Sequence, residues 1–295
     1  MSDTASKKLR TESEVTAELR ELAANANKRR ERIRQEIQKL NQSFVSSSKD
    51  TPPPDLVSEF SNPAFNTKLP FPFVQAVPEK FDTEDGDDEK NWFYMGREKF
   101  AELKKRFDYI RRASRHIALI VYGTRGYGKS HLLAALVCHL AAGEDKVVFI
   151  PDCQECLLSP VLYTKAAMLF AWAGDENKQQ QIMELKTEDD ILSFFEGQKN
   201  VIFVIDQLNA LEKKNDNEFK AAKLHDWLDT LRAKHKAVFS SSANNHTILN
   251  EKPQQDSNKI MNVYGGLTKV SLKSNNSFVK SDAVAEADGS SWGGL

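Results

Sequence analysis

The segment from residue 116 to residue 130, HIALIVYGTRGYGKS, constrains the fold of this chain more than any other. An apolar, partly β-branched run leads into a stretch from Gly123 to Ser130 that has the spacing G-x-x-x-x-G-K-[ST] of a phosphate-binding loop. The loop follows a predicted strand and precedes a predicted helix, which is the context that such a site requires. A glycine-rich turn before an ordinary helix would not explain the Lys-Ser pair.

The residue types in this loop suit the binding of a nucleoside triphosphate. Gly123 and Gly128 are expected to let the backbone turn tightly, so that successive N–H groups point at phosphate oxygens. Lys129 is expected to contact the β- and γ-phosphates, and the Ser130 hydroxyl to bind Mg²⁺. The helix that begins near His131 directs the positive end of its dipole at the same phosphates. The predicted nucleotide contacts of the loop are Gly123, Thr124, Arg125, Gly126, Tyr127, Gly128, Lys129, Ser130 and His131.

A second apolar run, VIFVI at residues 201–205, predicts a buried strand that ends at Asp206. In an open α/β sheet, ligands bind at the carboxyl ends of the strands. Asp206 is therefore expected to hold Mg²⁺ opposite Ser130, directly or through water. The alternative is an ordinary strand that ends at an Asp turn.

Two further polar residues are predicted to face the γ-phosphate. Gln207 follows Asp206, and its neutral amide can orient a water molecule but cannot take a proton from it. We therefore expect slow hydrolysis, with the nucleotide acting as a conformational switch. Asn244 follows the predicted strand that begins at Ala237, and it is a candidate γ-phosphate sensor. A plain turn is the alternative at Asn244.

The segment WFYMGREKF at residues 92–100 precedes the loop by about 25 residues and opens a predicted helix. Apolar residues that lead into Gly-Arg-Glu resemble the element that packs over the base and sugar in STAND-type and origin-recognition-type ATPases. The resemblance implies that Gly96 and Arg97 contact the nucleotide. The alternative is a helix start with its arginine facing water.

The remaining chain predicts extensions around one α/β domain at residues 91–250. Residues 1–45 predict a charged helical arm, because apolar residues recur at steps of three and four. Its segment 10–41 is a candidate for self-association or for binding an acidic partner, and a solvated arm without a partner is the alternative. Residues 46–90 predict a proline-rich, acidic linker, and its scattered aromatic residues indicate that part of it lies along the folded domain. Residues 251–295 predict a disordered or truncated tail, in which residues 261–264 indicate a strand or a turn.

Composition excludes several classes of function. The formal net charge is −1, which argues against binding nucleic acid or an anionic membrane over the whole surface, although a local nucleic-acid contact stays open. The three cysteines form no disulfide framework, and Cys153-x-x-Cys156 has no second Cys or His pair at metal-binding spacing nearby, so we expect reduced thiols in the core or in a loop. The sequence predicts no signal peptide and no bilayer-spanning segment, so we expect an intracellular protein, cytoplasmic or nuclear, with no membrane partner.

Three motifs in order resemble the ATPase module of Crinkler-type proteins, which are related to the retrotransposon hot spot family. They are YGTRGYGKSHLLAA at 122–135, VVFIPDC at 147–153 and IDQLNAL at 205–211. The resemblance covers about residues 92–266, and it implies an ATPase that in the full family layout lies between a header and a nuclease domain. Family members are regarded as effectors that act in a host cell, so the resemblance allows secretion. Neither flanking domain matches this sequence, so DNA cleavage is not carried over.

Taken together, the motifs predict an α/β P-loop NTPase, a three-layer sandwich with a mainly parallel sheet and a preceding helical arm. The expected ligands are ATP and Mg²⁺. GTP is disfavoured because the nearest match to the base-reading motif N-K-x-D, at residues 177–180, lacks the Asp. Two alternatives remain: an interaction protein that binds nucleotide without hydrolysing it, and a DNA-associated ATPase.

Overall fold

A computed structural model describes residues 12–46, 55–81, 90–113, 118–212, 218–242 and 259–263. The strands are β1 (Asn66–Pro70), β2 (Asn91–Met95), β3 (Ala118–Gly123), β4 (Lys146–Ile150), β5 (Val201–Ile205), β6 (Lys236–Ser242) and β7 (Ile260–Val263). The helices are α1 (Glu12–Ser46), α2 (Leu56–Ser61), α3 (Lys99–Arg112), α4 (Lys129–Ala141), α5 (Cys153–Leu158), α6 (Pro160–Ala171), α7 (Glu176–Glu184), α8 (Glu188–Glu196) and α9 (Glu218–Ala233). A 3₁₀ helix spans Leu208–Glu212.

Five strands form the central sheet in the order β4-β5-β6-β3-β7, and every described pairing in it is parallel. All five residues of β5 are buried. Successive side chains of a strand point to opposite faces, so helices must cover both faces of the sheet. Helices α3, α4, α6 and α9 contact its strands. The predicted α/β sandwich with a mainly parallel sheet is confirmed.

Helix α1 packs against the α/β domain instead of extending from it as a solvated arm. It contacts α4, α6 and α7, and its apolar stripe, which includes Leu19, Ala26 and Ile33, belongs to the same core as the sheet. Arg29 and Arg30 are buried within this stripe, at 8% and 7% exposure. Their guanidinium groups reach main-chain carbonyls, so two residues that suggest a solvated surface in the sequence are part of the interface.

The predicted linker at 46–90 contains regular structure. Strand β1 pairs antiparallel with β2 across the predicted domain boundary, and Asp55 caps the short helix α2 by accepting from the Ser58 N–H. Phe60, Phe71 and Phe73 are fully buried. Burial of these aromatic side chains stabilises the segment against the domain, as the scattered aromatic residues in the sequence indicate.

The predicted tail at 251–295 contributes the fifth strand of the sheet. Strand β7 pairs with the outer edge of β3, where Val263 lies opposite Gly123. A strand or a turn is what the sequence indicates for residues 261–264, and disorder in the rest of this segment stays a prediction.

Candidate functional site

Parallel pairing brings the carboxyl ends of the strands to one edge of the sheet. Residue Gly123 ends β3, Ile205 ends β5 and Ser242 ends β6, with β6 lying between the other two strands. The N–H of Asp206 donates to the Ile150 carbonyl at 2.9 Å, which fixes the residue after β5 beside the end of β4. The two sequence motifs therefore lie on the same edge of the sheet.

The loop between β3 and α4 turns at Gly126 and Gly128, whose φ angles are +86° and +79°. These values lie in the left-handed region, which glycine adopts without steric cost. Gly128 is also the N-cap of α4, so the free N–H groups of the first helical turn face the loop. The geometry suits an anion.

Gly123 has a packing role at the end of β3, and its predicted phosphate contact stays a prediction. It ends β3, and a Cβ at this position would lie 2.1 Å from the Val263 carbonyl oxygen. The glycine is therefore required by the close approach of β7, and the turn itself is made by Gly126 and Gly128. The G-x-x-x-x-G pattern does not distinguish between these two reasons for a glycine.

Lys129 directs its ammonium group into the loop. Its Nζ donates to the carbonyls of Gly123 and Thr124, at 2.7 Å in both cases. Burial lowers the pKa of Lys129, and the negative charge of Asp206 opposes that shift. The carboxylate is thus close enough to affect the lysine, as expected of two groups that share one ligand.

The other loop residues differ in exposure. Arg125 and Gly126 are exposed, whereas Thr124, Tyr127 and Ser130 are half-buried.

His131 contacts the rings of Phe81 and Trp92, with centroid distances of 5.0 and 5.6 Å. Burial, with a smaller contribution from Arg97, lowers the pKa of His131 to about 4. Its imidazole is therefore neutral at pH 7.

Asp206 is the most enclosed carboxylate of the site, at 1% exposure. Its Oδ1 accepts the Ser240 hydroxyl and the Gln207 N–H. Its Oδ2 accepts the ammonium group of Lys80 at 2.7 Å. Because a buried carboxylate is costly without partners, these three donors offset the burial of Asp206 at this edge.

Gln207 has a left-handed backbone, with φ at +61°, and its side chain turns toward the end of β4. Its Nε2 donates to the Asp152 Oδ2 at 3.2 Å. Its N–H also approaches the Ser240 hydroxyl oxygen at 3.0 Å. These contacts hold Gln207 at the edge of the sheet where the phosphate-binding loop lies.

Arg97 lies directly over the loop. A Cβ on Gly128 would meet the Arg97 Cζ at 2.5 Å, and the Arg97 Nε is buried without a hydrogen-bond partner among the described residues. Burial lowers the pKa of Arg97. Gly96 is explained by packing, because a Cβ there would lie 2.0 Å from the Asn62 carbonyl oxygen. A nucleotide contact at Gly96 stays a prediction.

Three residues of the site were missed in the sequence. Lys80 lies in the predicted linker, Asp152 follows β4, and Ser240 lies within β6. Only Asp152 and Ser240 carried a signal, since Asp152 lies in the motif at 147–153 and Ser240 lies in the predicted strand that begins at Ala237. The predicted sensor Asn244 lies outside the described residues.

Hard oxygen donors at this edge suit Mg²⁺ chemically. A carboxylate from Asp206 and a hydroxyl from Ser130 are ligands that Mg²⁺ uses together with phosphate oxygens and water. The described residues contain no cluster of three or more His, Cys, Asp or Glu side chains that would hold a metal without a substrate. All three cysteines are buried and free, as predicted.

No helix within the described ranges is both long and apolar enough to cross a bilayer.

Comparison with known proteins identifies the type of domain. The family model of the NACHT domain matches residues 118–256, a segment that begins with β3 and includes the loop, Asp206 and β6. No curated protein matches the chain. The match concerns the NACHT domain and does not extend to the Crinkler-type identity that the motifs resemble. Residues 118–256 are therefore similar to a NACHT domain, and the α/β fold of this segment is that of a P-loop NTPase.

Proposed function

We propose that this chain binds ATP with Mg²⁺ and hydrolyses it slowly, so that the bound nucleotide acts as a conformational switch. One observation carries the proposal. Lys129 in the loop and Asp206 after β5 lie at the same edge of a parallel sheet and are close enough to shift the pKa of the lysine. A phosphate-binding cation and a metal-binding carboxylate in this relation are the parts that phosphoryl transfer needs.

The loop supplies the groups that hold the phosphates. The backbone N–H groups around Gly126 and Gly128 and the first turn of α4 would bind phosphate oxygens. Lys129 would exchange its two carbonyl acceptors for the β- and γ-phosphates. Arg97, whose buried Nε lacks a partner among the described residues, would contact the nucleotide from above Gly128.

The metal would be held by Asp206 and Ser130. When bound, Mg²⁺ would neutralise the charge that develops on the phosphates. Asp206 would use Oδ2, from which the Lys80 ammonium group would have to move, because Oδ1 already accepts two hydrogen bonds.

We expect slow turnover because the side chain proposed to orient the attacking water, Gln207, is an amide. The Gln207 amide can donate to or accept from an attacking water, but it cannot remove a proton. Asn244, which lies outside the described residues, is proposed to sense the γ-phosphate. We expect turnover well below about 10 s⁻¹, the median of enzymes.

Binding and hydrolysis are tested separately with one pair of variants. An ATP titration by calorimetry and a phosphate-release assay are run on the wild type, on Lys129→Ala and on Lys39→Ala, a control in which an exposed lysine of α1 is removed. We expect the first variant to lose ATP binding by at least about 100-fold, because a charge-assisted contact to phosphate disappears. The control keeps wild-type affinity. Equal ATP affinity in wild type and Lys129→Ala would disprove the proposed site.

A non-hydrolysing interaction protein is the second candidate. It is favoured by Gln207, which lacks a proton-accepting side chain and is held by Asp152. Under this alternative ATP binds, Lys129→Ala loses binding, and no phosphate is released above the background of Lys129→Ala. A DNA-associated ATPase would instead bind duplex DNA with an affinity that falls steeply with salt.

Partner binding through residues 10–41 is proposed only for the exposed face of α1. The apolar stripe of this helix is covered by α4, α6 and α7, which removes the surface that a coiled coil would use. An effector role of the Crinkler type remains a hypothesis supported by three sequence motifs.

A further inference from the structure

Lys80 places a positive charge at the centre of the candidate nucleotide site, from a segment that no motif includes. Its Nζ donates to the Asp206 Oδ2 and to the Pro151 carbonyl, at 2.7 Å in both cases. The Lys80 side chain is 25% exposed and that of Asp206 is 1% exposed. The ion pair is therefore largely shielded from water, which strengthens the interaction relative to a surface pair.

The backbone at Lys80 is held in place on both sides. The Phe81 N–H donates to the Pro78 carbonyl at 3.0 Å and closes a turn around the lysine. Phe81 itself is buried, with its ring 4.6 Å from that of Phe71 and 5.0 Å from that of His131. His131 belongs to the first turn of α4, so the aromatic contact ties the lysine to the phosphate-binding loop. Lys80 is thus a positioned group and not a surface side chain that happens to reach a carboxylate.

The hydrogen bonds of Asp206 leave one oxygen for a cation. Oδ1 accepts from the Ser240 hydroxyl and from the Gln207 N–H. Oδ2 is the oxygen that a directly coordinated metal would use, and the Lys80 ammonium group lies at hydrogen-bond distance from it. An ammonium ion and a divalent ion on the same oxygen repel each other strongly in a site of low dielectric. The ammonium group and the metal ion therefore exclude each other from Oδ2.

We propose that Lys80 is a built-in counter-cation that occupies the metal position at Asp206, allows nucleotide to bind without Mg²⁺, and moves away when Mg²⁺ arrives. This inference rests on the proposed nucleotide site. Without metal, Lys80 neutralises a carboxylate that would otherwise repel the phosphates. With metal, the same lysine competes for Asp206 and raises the Mg²⁺ concentration that the site requires.

The proposal predicts effects of opposite sign in the absence and presence of metal. ATP affinity is measured by calorimetry in EDTA and across a Mg²⁺ titration, for the wild type and Lys80→Met. In EDTA, Lys80→Met binds ATP about tenfold more weakly, the size of one shielded charge interaction. In the titration, the Mg²⁺ concentration for half-maximal enhancement of ATP binding falls by a similar factor. A merely structural role of Lys80 would weaken binding under both conditions.

Three further variants control for charge, fold and location. Lys80→Arg keeps the charge and is expected to behave like the wild type in EDTA. Lys80→Gln removes the charge but keeps a donor for the Pro151 carbonyl, and it carries the test if the methionine variant does not fold. Lys90→Met removes another half-buried lysine, whose Nζ donates to the Gln75 carbonyl and to no carboxylate among its described hydrogen bonds, and both ATP measurements stay at wild-type values.

The outcomes separate this inference from the function on which it rests. If the wild type binds ATP and the neutral Lys80 variants change neither the EDTA affinity nor the Mg²⁺ dependence, the counter-cation role is overturned and the nucleotide site stands. If both neutral variants weaken binding equally with and without Mg²⁺, the role is also overturned. If the wild type binds no ATP under either condition, the proposed function fails and the inference fails with it.

Discussion

The side-chain amide of Gln207 donates to the carboxylate of Asp152 at 3.2 Å, and this contact joins the residues that follow β5 and β4. Asp152 is also the N-cap of α5, where its other oxygen accepts from the N–H groups of Gln154 and Glu155. The carboxylate is thus fixed by a helix, and it in turn orients the amide beside the proposed γ-phosphate position. A residue that cannot act as a base is held where a base would act.

Replacing this amide by a carboxylate tests whether hydrolysis is limited by proton acceptance. We expect Gln207→Glu to raise phosphate release about 100-fold, the lower end of the range that general bases contribute. The negative charge of Asp152 raises the pKa of the introduced carboxyl group, so activity rises with pH at a higher pH than an ordinary glutamate would give. Adding Asp152→Asn moves that rise to lower pH. A pH–rate profile of each variant measures both effects.

The control for added charge is Gln180→Glu on the exposed surface of α7, which is expected to leave phosphate release unchanged. Retained ATP binding with wild-type turnover in both Gln207→Glu and the double variant would show that proton acceptance is not limiting. The slow step would then lie in product release or in a conformational change.

Arg30 explains why α1 is part of the domain. Its guanidinium group donates to four main-chain carbonyls, those of Ala141, Ala171, Gly143 and Asp145, at distances between 2.7 and 3.3 Å. Residues Ala141 and Ala171 end α4 and α6, where the last carbonyls lack partners within their own helices. One side chain from α1 therefore caps two helices that contact the sheet.

Removing this group should destabilise the protein strongly. We expect Arg30→Met to lower the free energy of unfolding by about 2–4 kcal/mol, because the carbonyls lose charge-assisted hydrogen bonds while the aliphatic part is retained. Urea denaturation followed by circular dichroism measures the change. Arg34→Met is the matched control on the same helix, since Arg34 is half-exposed and pairs only with Glu31 among the contacts described for it. Similar losses in the two variants would contradict the capping role.

Local sequence was sufficient for the parts of the site that are contiguous in the chain. The loop from Gly123 to Ser130 and the strand before Asp206 are each complete within ten residues, and their order and context predicted a shared edge. The role of Gly123 was not predictable in the same way, because it depends on Val263, 140 residues later in the sequence. A motif identifies that a glycine is present without giving the contact that requires it.

Contacts across long sequence distances account for the rest. Lys80 and Asp206 are 126 residues apart, and neither the turn at Pro78 nor the burial of Phe81 can be inferred from a proline-rich segment. Arg30 is a charged residue in a charged helix, and periodicity alone assigns it to the surface. In the folded chain Arg30 is buried instead, because main-chain carbonyls that are distant in sequence accept its hydrogen bonds. Patterns of polarity predict elements, and they do not predict which polar groups find partners inside.

His131 makes the stability of the site region dependent on pH. It follows Ser130 in the first turn of α4, and its half-buried ring packs against Phe81 and Trp92. Burial lowers its pKa to about 4, the positive charges of Arg97 and Lys80 act in the same direction, and Asp206 opposes them. The folded state therefore excludes a proton that the unfolded chain binds with an ordinary pKa of about 6.5.

The sign of the pH dependence follows from whether the folded or the unfolded state binds the proton more strongly. Above about pH 6.5 His131 is neutral in both states and the stability it contributes is complete. Between about pH 6.5 and pH 4 the unfolded chain binds more protons, so the free energy of unfolding decreases as the pH falls, by at most about 1.4 kcal/mol per pH unit. Below about pH 4 both states are protonated and the contribution no longer changes. Urea denaturation at pH 7.5, 6.5, 5.5 and 4.5 measures this slope, and His131→Gln reduces it by up to the same amount. Carboxylate titrations are common to both proteins and cancel in the difference, so identical slopes in wild type and variant would show that the imidazole is not kept neutral by burial.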